Sequence, residues 1–495
     1  MRTALCILLL NLFVQTAAKA EFTFNKECLE AQKNILSLKL DAGATMLEIE
    51  KKAHPANAIP YFLENYIDIY RIFISEDKSE FDRLYKNKET RLAFIRKSAK
   101  TSPWFLYSQA EINLQWAFAH VKFGQYLSAS LEIKKAHALL EENLKKFPDF
   151  KATNKSLGLL RALVGNIPDS YKWIANLLAF RGNTQDGMRM MHEFVATESK
   201  LPEMKYFQKE AAFLTAYMEI IINKEKNKSW DLICRYTPDY AGNLFSCFAR
   251  AYVAKASGRN DIVIDLLQKR PQGRDYIPFY YLDFMIGECK LFRSDKDADI
   301  YLKRYVSLFT GQNYIKDGYQ KLAWHYLVNN REDLYKLYMS MGVRYGKAET
   351  DEDKHALKDA TSGEVPNVVL LRARLYFDGA YYQKAMSYLS GYTINSFTTE
   401  KDRLEYVYRM GRISHESGQY LKAIEWYGKT INLGSGLTYY FAANSSLQLG
   451  VIYEKLGQKD LAKTYFKKCF EFGKHEYKNS IEQKAKIGLK RLEEK

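Results

Sequence analysis

Residues 408–427 read YRMGRISHESGQYLKAIEWY, and residues 447–466 read LQLGVIYEKLGQKDLAKTYF. Gly411 and Gly450, Gly418 and Gly457, Ala423 and Ala462, and Tyr427 and Phe466 are each 39 residues apart. A fixed offset over four small or aromatic positions marks stacked supersecondary units, which bury their apolar faces against their neighbours. Gly411 and Gly450 fall on the first helix of each unit, Ala423 and Ala462 on the second. Small side chains there let two helix axes approach. Tyr427 and Phe466, four residues on, fill the space beside the contact. Gly418 and Gly457 lie between the helices, where a left-handed residue ends the first helix without a Cβ penalty.

This pattern closely resembles the tetratricopeptide repeat family. The resemblance implies an α-solenoid of antiparallel helix pairs stacked into a right-handed superhelix. The offset exceeds the ~34 residues usual in that family, so the helices or the Asn432-Leu433-Gly434-Ser435-Gly436 connection are expected to be longer. The family's terminal proline is absent, with those glycines in its place. Weaker echoes lie upstream. Ala380, Tyr382, Ala385 and Leu389 repeat the second-helix pattern 38 residues before Ala423. Gly124, Tyr126, Ala129, Ile133 and Ala136 match it, with Trp116 on the partner helix. Gly182 with Gly187, and Gly258 with Val263 and Leu267, keep only the turn and the spacing.

Independently of that resemblance, few prolines and apolar residues at three- and four-residue spacing make the chain all-α. Ser102-Pro103 sets a capping side chain before a proline at a first helical position. Asn57 to Ser75, with Pro60, Tyr61, Tyr66 and Tyr70, reads as a core helix. Ser480-Ile481-Glu482-Gln483 fits a capping box, and Ile481, Ala485, Leu489 and Leu492 form one apolar stripe after it. A one-sided helix at the end of an array covers its last core face.

Met1 to Ala20 reads as a secretory signal peptide. Arg2 supplies the positive start, Ala4 to Val14 is apolar apart from Asn11, and Ala18-Lys19-Ala20 is a small-x-small cleavage site. A mitochondrial presequence would be amphipathic and rich in Arg and Ser, which this stretch is not. The apolar run is too short to span a bilayer, and no later stretch approaches the ~18 apolar residues required. Cys6 lies too early in that run to carry a lipid, and Cys28 follows Asn25-Lys26-Glu27 rather than small apolar residues. The organisation expected is therefore a signal peptide over 1–20 and an irregular helical array similar to the repeats over 21–347. A polar joint or long inter-repeat loop over 348–366 comes next, then C-terminal repeats over 367–478 and a capping helix over 479–495. With the leader, such repeats also look like secreted repeat proteins of Bacteroidota-type bacteria.

After processing the chain keeps five scattered cysteines, too few for a disulfide framework and without a CxxC pair for zinc. Most are expected as buried small hydrophobes, with a Cys234–Cys247 bridge as an alternative in an oxidising compartment. Loss of Arg2 and Lys19 leaves 72 basic against 58 acidic residues, a net +14. That excess favours an acidic partner or an anionic envelope surface. Lys463 to Lys478 interleaves with Tyr465, Phe466, Phe470, Phe472 and Tyr477, a mixture also found in nucleic-acid binders. Aromatics at helical spacing facing a core with Lys on the solvated side explain it better, and export removes the chain from cellular nucleic acid.

No strong catalytic motif is present, and sequence spacing leaves open only a carboxylate pair assembled in space, as in glycosidases. His192-Glu193 and His415-Glu416 begin like a zinc-protease helix, but Ala196 and Gln419 stand where the second His is required. There is no P-loop and no GxSxG elbow, and Gly434-Ser435-Gly436 lacks both the third glycine and the preceding strand of a dinucleotide site. Neither a cofactor nor a metal is expected. The family resemblance points instead to the concave face lined by the first helix of each pair. Matching positions are Tyr408, Arg412, His415, Asn444, Glu454 and Lys455, the polar and aromatic mixture of a recognition surface. One subset of the family clamps a peptide C-terminus with Asn and Lys there. Tyr408 and Arg412 occupy those places, so the clamp does not carry over. The sequence is thus read as a non-catalytic secreted or periplasmic scaffold that binds a protein or peptide in a helical groove. The alternative is a glycan- or nutrient-binding envelope receptor, since the abundant aromatic rings stack on sugars.

Overall fold

The computed structural model describes residues 21–165 and 182–494, so the expected signal peptide lies outside the described residues. Among the described residues the chain is helical without strands. One isolated parallel bridge joins Glu21 to Asn57. Two compact units form, Met1–Ser257 with Asp265–Phe279, and Gly258–Ile264 with Tyr280–Lys495. The sequence reading sets a division at 348–366, and the change of unit falls much earlier, around 258–280.

Described helices pair with the next described one as antiparallel hairpins. In the first unit Pro103–Lys122 pairs with Tyr126–Lys146, and Ala152–Gly165 with Thr184–Ala196. In the second, Tyr281–Arg293 pairs with Ala298–Leu308 and Ile315–Val328 with Glu332–Arg344. Three further pairs follow: Val368–Asp378 with Tyr382–Leu389, Glu400–Glu416 with Tyr420–Gly434, and Phe441–Lys455 with Lys459–Lys468. The longer offset goes partly into the helix: Tyr420–Gly434 is fifteen residues long and takes in Asn432–Gly434 of the expected connection, and the turn begins at Ser435 and Gly436.

The starts of these helices are written in the sequence. Ser102 accepts from the Trp104 amide ahead of Pro103, as the Ser-Pro pair predicts. Asn367 accepts from the Val369 and Leu370 amides, and Thr399 from that of Asp402, each satisfying donors that the first turn leaves open. Gly124, Gly258, Gly418 and Gly457 take positive φ between 71° and 75°, the turn conformation their spacing calls for. Asn57–Ser75 contains the expected core helix as Ile59–Ser75, with Phe62, Tyr66 and Ile72 buried.

Two small-residue contacts set the repeat geometry. A Cβ on Gly411 would lie 2.8 Å from the Tyr427 ring, and one on Gly450 would lie 2.5 Å from the Phe466 ring. Ala423, Ala462, Tyr427 and Phe466 are fully buried. The closing helix, Lys478–Glu494, buries Ile481, Ala485 and Leu492 as the stripe predicts, and it adds Gly488 against the far side of Phe466. Its start differs from the expected capping box. The chain reverses at Tyr477 (φ 58°) and the helix begins at Lys478, so Ser480 already lies inside it.

The 348–366 segment, read as a polar joint or loop, contains a twelve-residue helix, Asp351–Ser362. Thr350 caps its start and Gly363 (φ 70°) ends it. Cys234 and Cys247 are not bridged: Cys247 is buried with its Sγ 3.6 Å from the Leu266 carbonyl oxygen.

Candidate partner-binding face of the C-terminal repeats

Within the second unit, the first helices Val368–Asp378, Glu400–Glu416 and Phe441–Lys455 lie side by side. Between the first two a cavity of about 210 Å³ opens, lined by Ala373, Arg374, Phe377, Asp378, Tyr408, Arg409, Arg412, Ile413 and Tyr440. The small residue at Ala373 and the turn before Phe441 leave this space, and three arginines are among the residues that line it.

The three arginines are not equivalent. Arg374 lies 4.6 Å above the Trp324 ring, with its Nε 3.5 Å from Asp378. Arg409 donates to Glu405 one turn earlier, Nε to Oε1 at 2.8 Å. Among the described residues, Arg412 forms no ion pair. It donates from Nη1 to the Tyr408 hydroxyl at 3.1 Å, sits 4.9 Å over the Phe377 ring, and keeps its Nε buried without an acceptor. A guanidinium offers five donors in a planar fork suited to carboxylate and phosphate oxygens. Arg412 is therefore the group at this cavity whose charge is least answered by the protein itself.

Tyr408 and Tyr440 form the aromatic wall, with ring centroids 5.7 Å apart and nearly perpendicular planes. Tyr408 is buried, and its hydroxyl accepts from Asn444 Nδ2 at 2.5 Å as well as from Arg412. Burial pushes the Tyr440 hydroxyl far above its usual value, so it is a neutral donor at physiological pH.

The six residues singled out from sequence divide into groups. Tyr408, Arg412 and Asn444 converge through the Tyr408 hydroxyl, and the first two line the cavity. His415 and Lys455 come together around Tyr420. The Tyr420 hydroxyl accepts from Lys455 Nζ at 2.5 Å, and the His415 ring lies 5.9 Å from that of Tyr420. Burial holds His415 below its ordinary imidazole value; the Glu416 charge opposes this, and those of Arg412 and Lys455 add to it. Glu454 takes the fork of Arg491 from the closing helix at 3.0 and 2.6 Å, apart from the cavity.

Arg374, Phe377, Arg409 and Tyr440 escaped the sequence reading. A signal for one of them was present: Arg374 lies 38 residues before Arg412, the offset that relates Ala385 to Ala423. Extending the register one repeat upstream places the two arginines on matching turns of neighbouring helices.

Other polar clusters serve packing. In the first unit Lys155 Nζ bonds Glu111 Oε1 at 2.8 Å and Glu210 Oε2 at 2.9 Å, with the Tyr66 hydroxyl 3.3 Å away. His192, from one of the incomplete zinc-protease patterns, bonds Glu219 through Nε2 at 2.5 Å. Among the described residues no three His, Cys, Asp or Glu side chains are grouped to hold a metal, and no helix is long and apolar enough to cross a membrane.

Residues 443–472 match the family model described as tetratricopeptide repeat. That segment, Ala443 to Phe472, contains the Gly450–Ala462–Phe466 contact and is a tetratricopeptide repeat. No curated protein matches the chain. Among solved structures, a Rap protein complexed with competence and sporulation factor aligns at 12% identity over 82% of this chain and 96% of its own, with a TM-score of 0.30. A human IFIT1 dimer with PPP-AAAA aligns at 12% identity over 96% of this chain and 95% of its own, TM-score 0.31. Yeast Tom70 aligns at 12% over 94% and 96%, TM-score 0.25. Scores this low carry no argument about partners.

Proposed function

We propose that this chain is an exported, non-catalytic scaffold whose C-terminal repeats capture a protein or peptide partner through an acidic group seated at the Arg412 cavity. The observation that supports this most is the Arg412 guanidinium, set between the Tyr408 and Phe377 rings beside two further arginines with its buried Nε lacking an acceptor. Seating a carboxylate there satisfies the buried Nε and trades solvent for a charge-assisted fork, the stronger class of hydrogen bond. The surrounding rings exclude water from the contact, as at the energetic centre of a protein interface. The net charge of +14 after removal of the leader steers acidic chains toward the surface without choosing among them. The Met1–Ala20 leader pattern supports export, to the periplasm or the exterior.

The test is a crosslinking pull-down from the native cell envelope with wild type, Arg412→Gln and Lys455→Glu side by side. Arg412→Gln keeps a donor for Tyr408 and removes the charge. Wild type is expected to retain a partner that Arg412→Gln loses, at unchanged helicity and melting temperature. Lys455→Glu, whose charge lies at Tyr420 and away from the cavity, is expected to lose less. Equal retention by wild type and Arg412→Gln would remove the cavity from recognition.

A further inference from the structure

A row of rings in the first unit leads to a carboxylate with one open oxygen. Pro202–Met218 sets Glu210, Phe213 and Tyr217 on one face, three and then four residues apart. Leu244–Ala256 does the same with Phe245, Phe248 and Tyr252. The two faces meet. The Phe213 ring centroid lies 5.9 Å from that of Phe245, 5.6 Å from Phe248 and 5.8 Å from Tyr252, and Tyr217 lies 5.7 Å from Tyr252. Tyr70, on Ile59–Ser75, continues the row, 6.2 Å from Phe245 and 6.2 Å from Tyr66. Phe213 stands nearly perpendicular to Phe245 and Tyr252, at 81° and 84°, so these rings form walls rather than one flat platform. Phe213, Tyr217, Phe248 and Tyr252 all stay partly exposed.

At the Tyr66 end of the row stands the Lys155 cluster, which offers more than packing. One ammonium serves two carboxylates there, Glu111 and Glu210. Glu210 Oε2 accepts from Lys155, with the Tyr66 hydroxyl 3.4 Å away. Among the described residues Glu210 Oε1 accepts no hydrogen bond, and the side chain keeps 16% exposure. The Tyr70 hydroxyl is buried without a partner among the described residues. Burial first, and then the Glu210 charge, push that hydroxyl well above its ordinary value, so it is a neutral oxygen close to the carboxylate. Burial and the Glu111 charge push Glu210 itself upward in spite of Lys155. A second cation at Oε1 would oppose both causes.

Aromatic faces hold a cation within about 6 Å of the ring centroid. Lys155 shows this within the cluster, with Nζ 5.9 Å over Tyr66 and 5.5 Å over Phe207. An open carboxylate oxygen one turn before ring walls suits an ammonium group on an apolar body. The charge meets Glu210, and the body lies between the rings. An anionic ligand would meet two carboxylates against one ammonium. A sugar stacks on a flat exposed face, which walls at right angles do not offer.

We propose that the first unit carries a second binding site, separate from the Arg412 cavity, for a small organic ammonium ion with an aromatic body. Glu210 Oε1 takes the charge, the Tyr70 hydroxyl oxygen accepts a further N–H, and Phe213, Tyr217 and Tyr252 enclose the body. This goes beyond the docking reading and does not rest on it.

The test is calorimetric titration of the full chain with three probes of similar shape: phenethylammonium, neutral phenethyl alcohol and anionic hydrocinnamate. Wild type is expected to bind phenethylammonium about tenfold more tightly than the alcohol, and hydrocinnamate more weakly than either. Glu210→Gln keeps the shape of the side chain and is expected to abolish the preference for the ammonium probe. Tyr252→Leu is expected to weaken that probe about tenfold. Circular dichroism melts check that each variant is folded; should Glu210→Gln unfold, the order of the three probes on wild type decides alone. Equal affinity for ammonium and alcohol, a preference that survives in folded Glu210→Gln, or no binding of phenethylammonium at millimolar concentration overturns the site. Arg412→Gln is expected to bind the probe as wild type does, and a loss there would move the binding to the other cavity and overturn this one.

Discussion

Lys155 shows how one buried side chain holds several helices. Its ammonium group bonds Glu111 and Glu210, while Ser156 and Tyr66 donate to the Glu111 carboxylate. Burial disfavours charge on all of them, yet the two carboxylates together hold Lys155 well above its usual value. The carboxylates diverge. Burial pushes Glu111 up, but Lys155, Ser156 and Tyr66 outweigh it and hold Glu111 below its ordinary value. Glu210, with fewer donors, is pushed up by burial and by the Glu111 charge in spite of Lys155. Removing the shared cation leaves two carboxylates in a site that solvates neither. Lys155→Met is therefore expected to destabilise the first unit by ~3–5 kcal/mol in denaturant unfolding, with Lys155→Met/Glu210→Gln recovering part of the loss. A loss below ~1 kcal/mol, the range of an exposed pair, would show that water reaches the cluster.

Element by element, the repeats were legible because each helix contact depends on one small residue and one ring. Phe466 is enclosed on two sides: a Cβ on Gly450 would meet its Cδ1 at 2.5 Å and a Cβ on Gly488 its Cζ at 2.6 Å. A ring held this way has nowhere to move. Gly450→Ala is expected to cost ~1–3 kcal/mol by overpacking. Gly428, also helical, has nothing within 4 Å of a Cβ. There the same change is expected to gain ~0.5–1 kcal/mol from reduced backbone entropy. Thermal or urea melts of the two variants should move in opposite directions, and a shared sign would mean that helix propensity rather than packing decides. The Asp351–Ser362 helix was hidden for the complementary reason. Its buried residues are Asp353 and Ala356, too few and too polar to print an apolar stripe. Ser480 misled because a capping box is a local pattern, whereas the chain reversal at Tyr477 is set by rings of distant elements, Tyr440 and His355. Of the site, Tyr408, Arg412 and Asn444 could be read from repeat register. Arg409 and Tyr440 could not, because their roles depend on how neighbouring pairs are rotated. Lys155 and its carboxylates are 44 and 55 residues apart, beyond any local pattern.

For the whole molecule, the proposed export and the thiol chemistry must agree. A chain delivered to an oxidising compartment with five cysteines risks mispairing unless its thiols are kept from forming thiolates. Here burial does that work. It pushes the Cys28 thiol up to about 12, with the Glu50 charge adding to it, and the Cys469 thiol up to about 12. Cys247 is pushed up to about 11, against the charges of Arg270 and Arg250. Cys289 is buried as well, and Cys234 alone is partly exposed. Attack on a disulfide or an alkylating reagent proceeds through the thiolate, so groups shifted this far upward react slowly at neutral pH even where a reagent reaches them. The folded protein from its native host is therefore expected to show an intact mass that begins at Glu21, carries no lipid and retains all five thiols reduced. Brief maleimide treatment of the native state should add one label, at Cys234, and treatment in denaturant should add five. A native mass two daltons light would reveal a bridge. Five rapid labels without denaturant would show that the solenoid opens far more often than its buried contacts allow, and a full-length mass from a cytosolic fraction would withdraw export altogether.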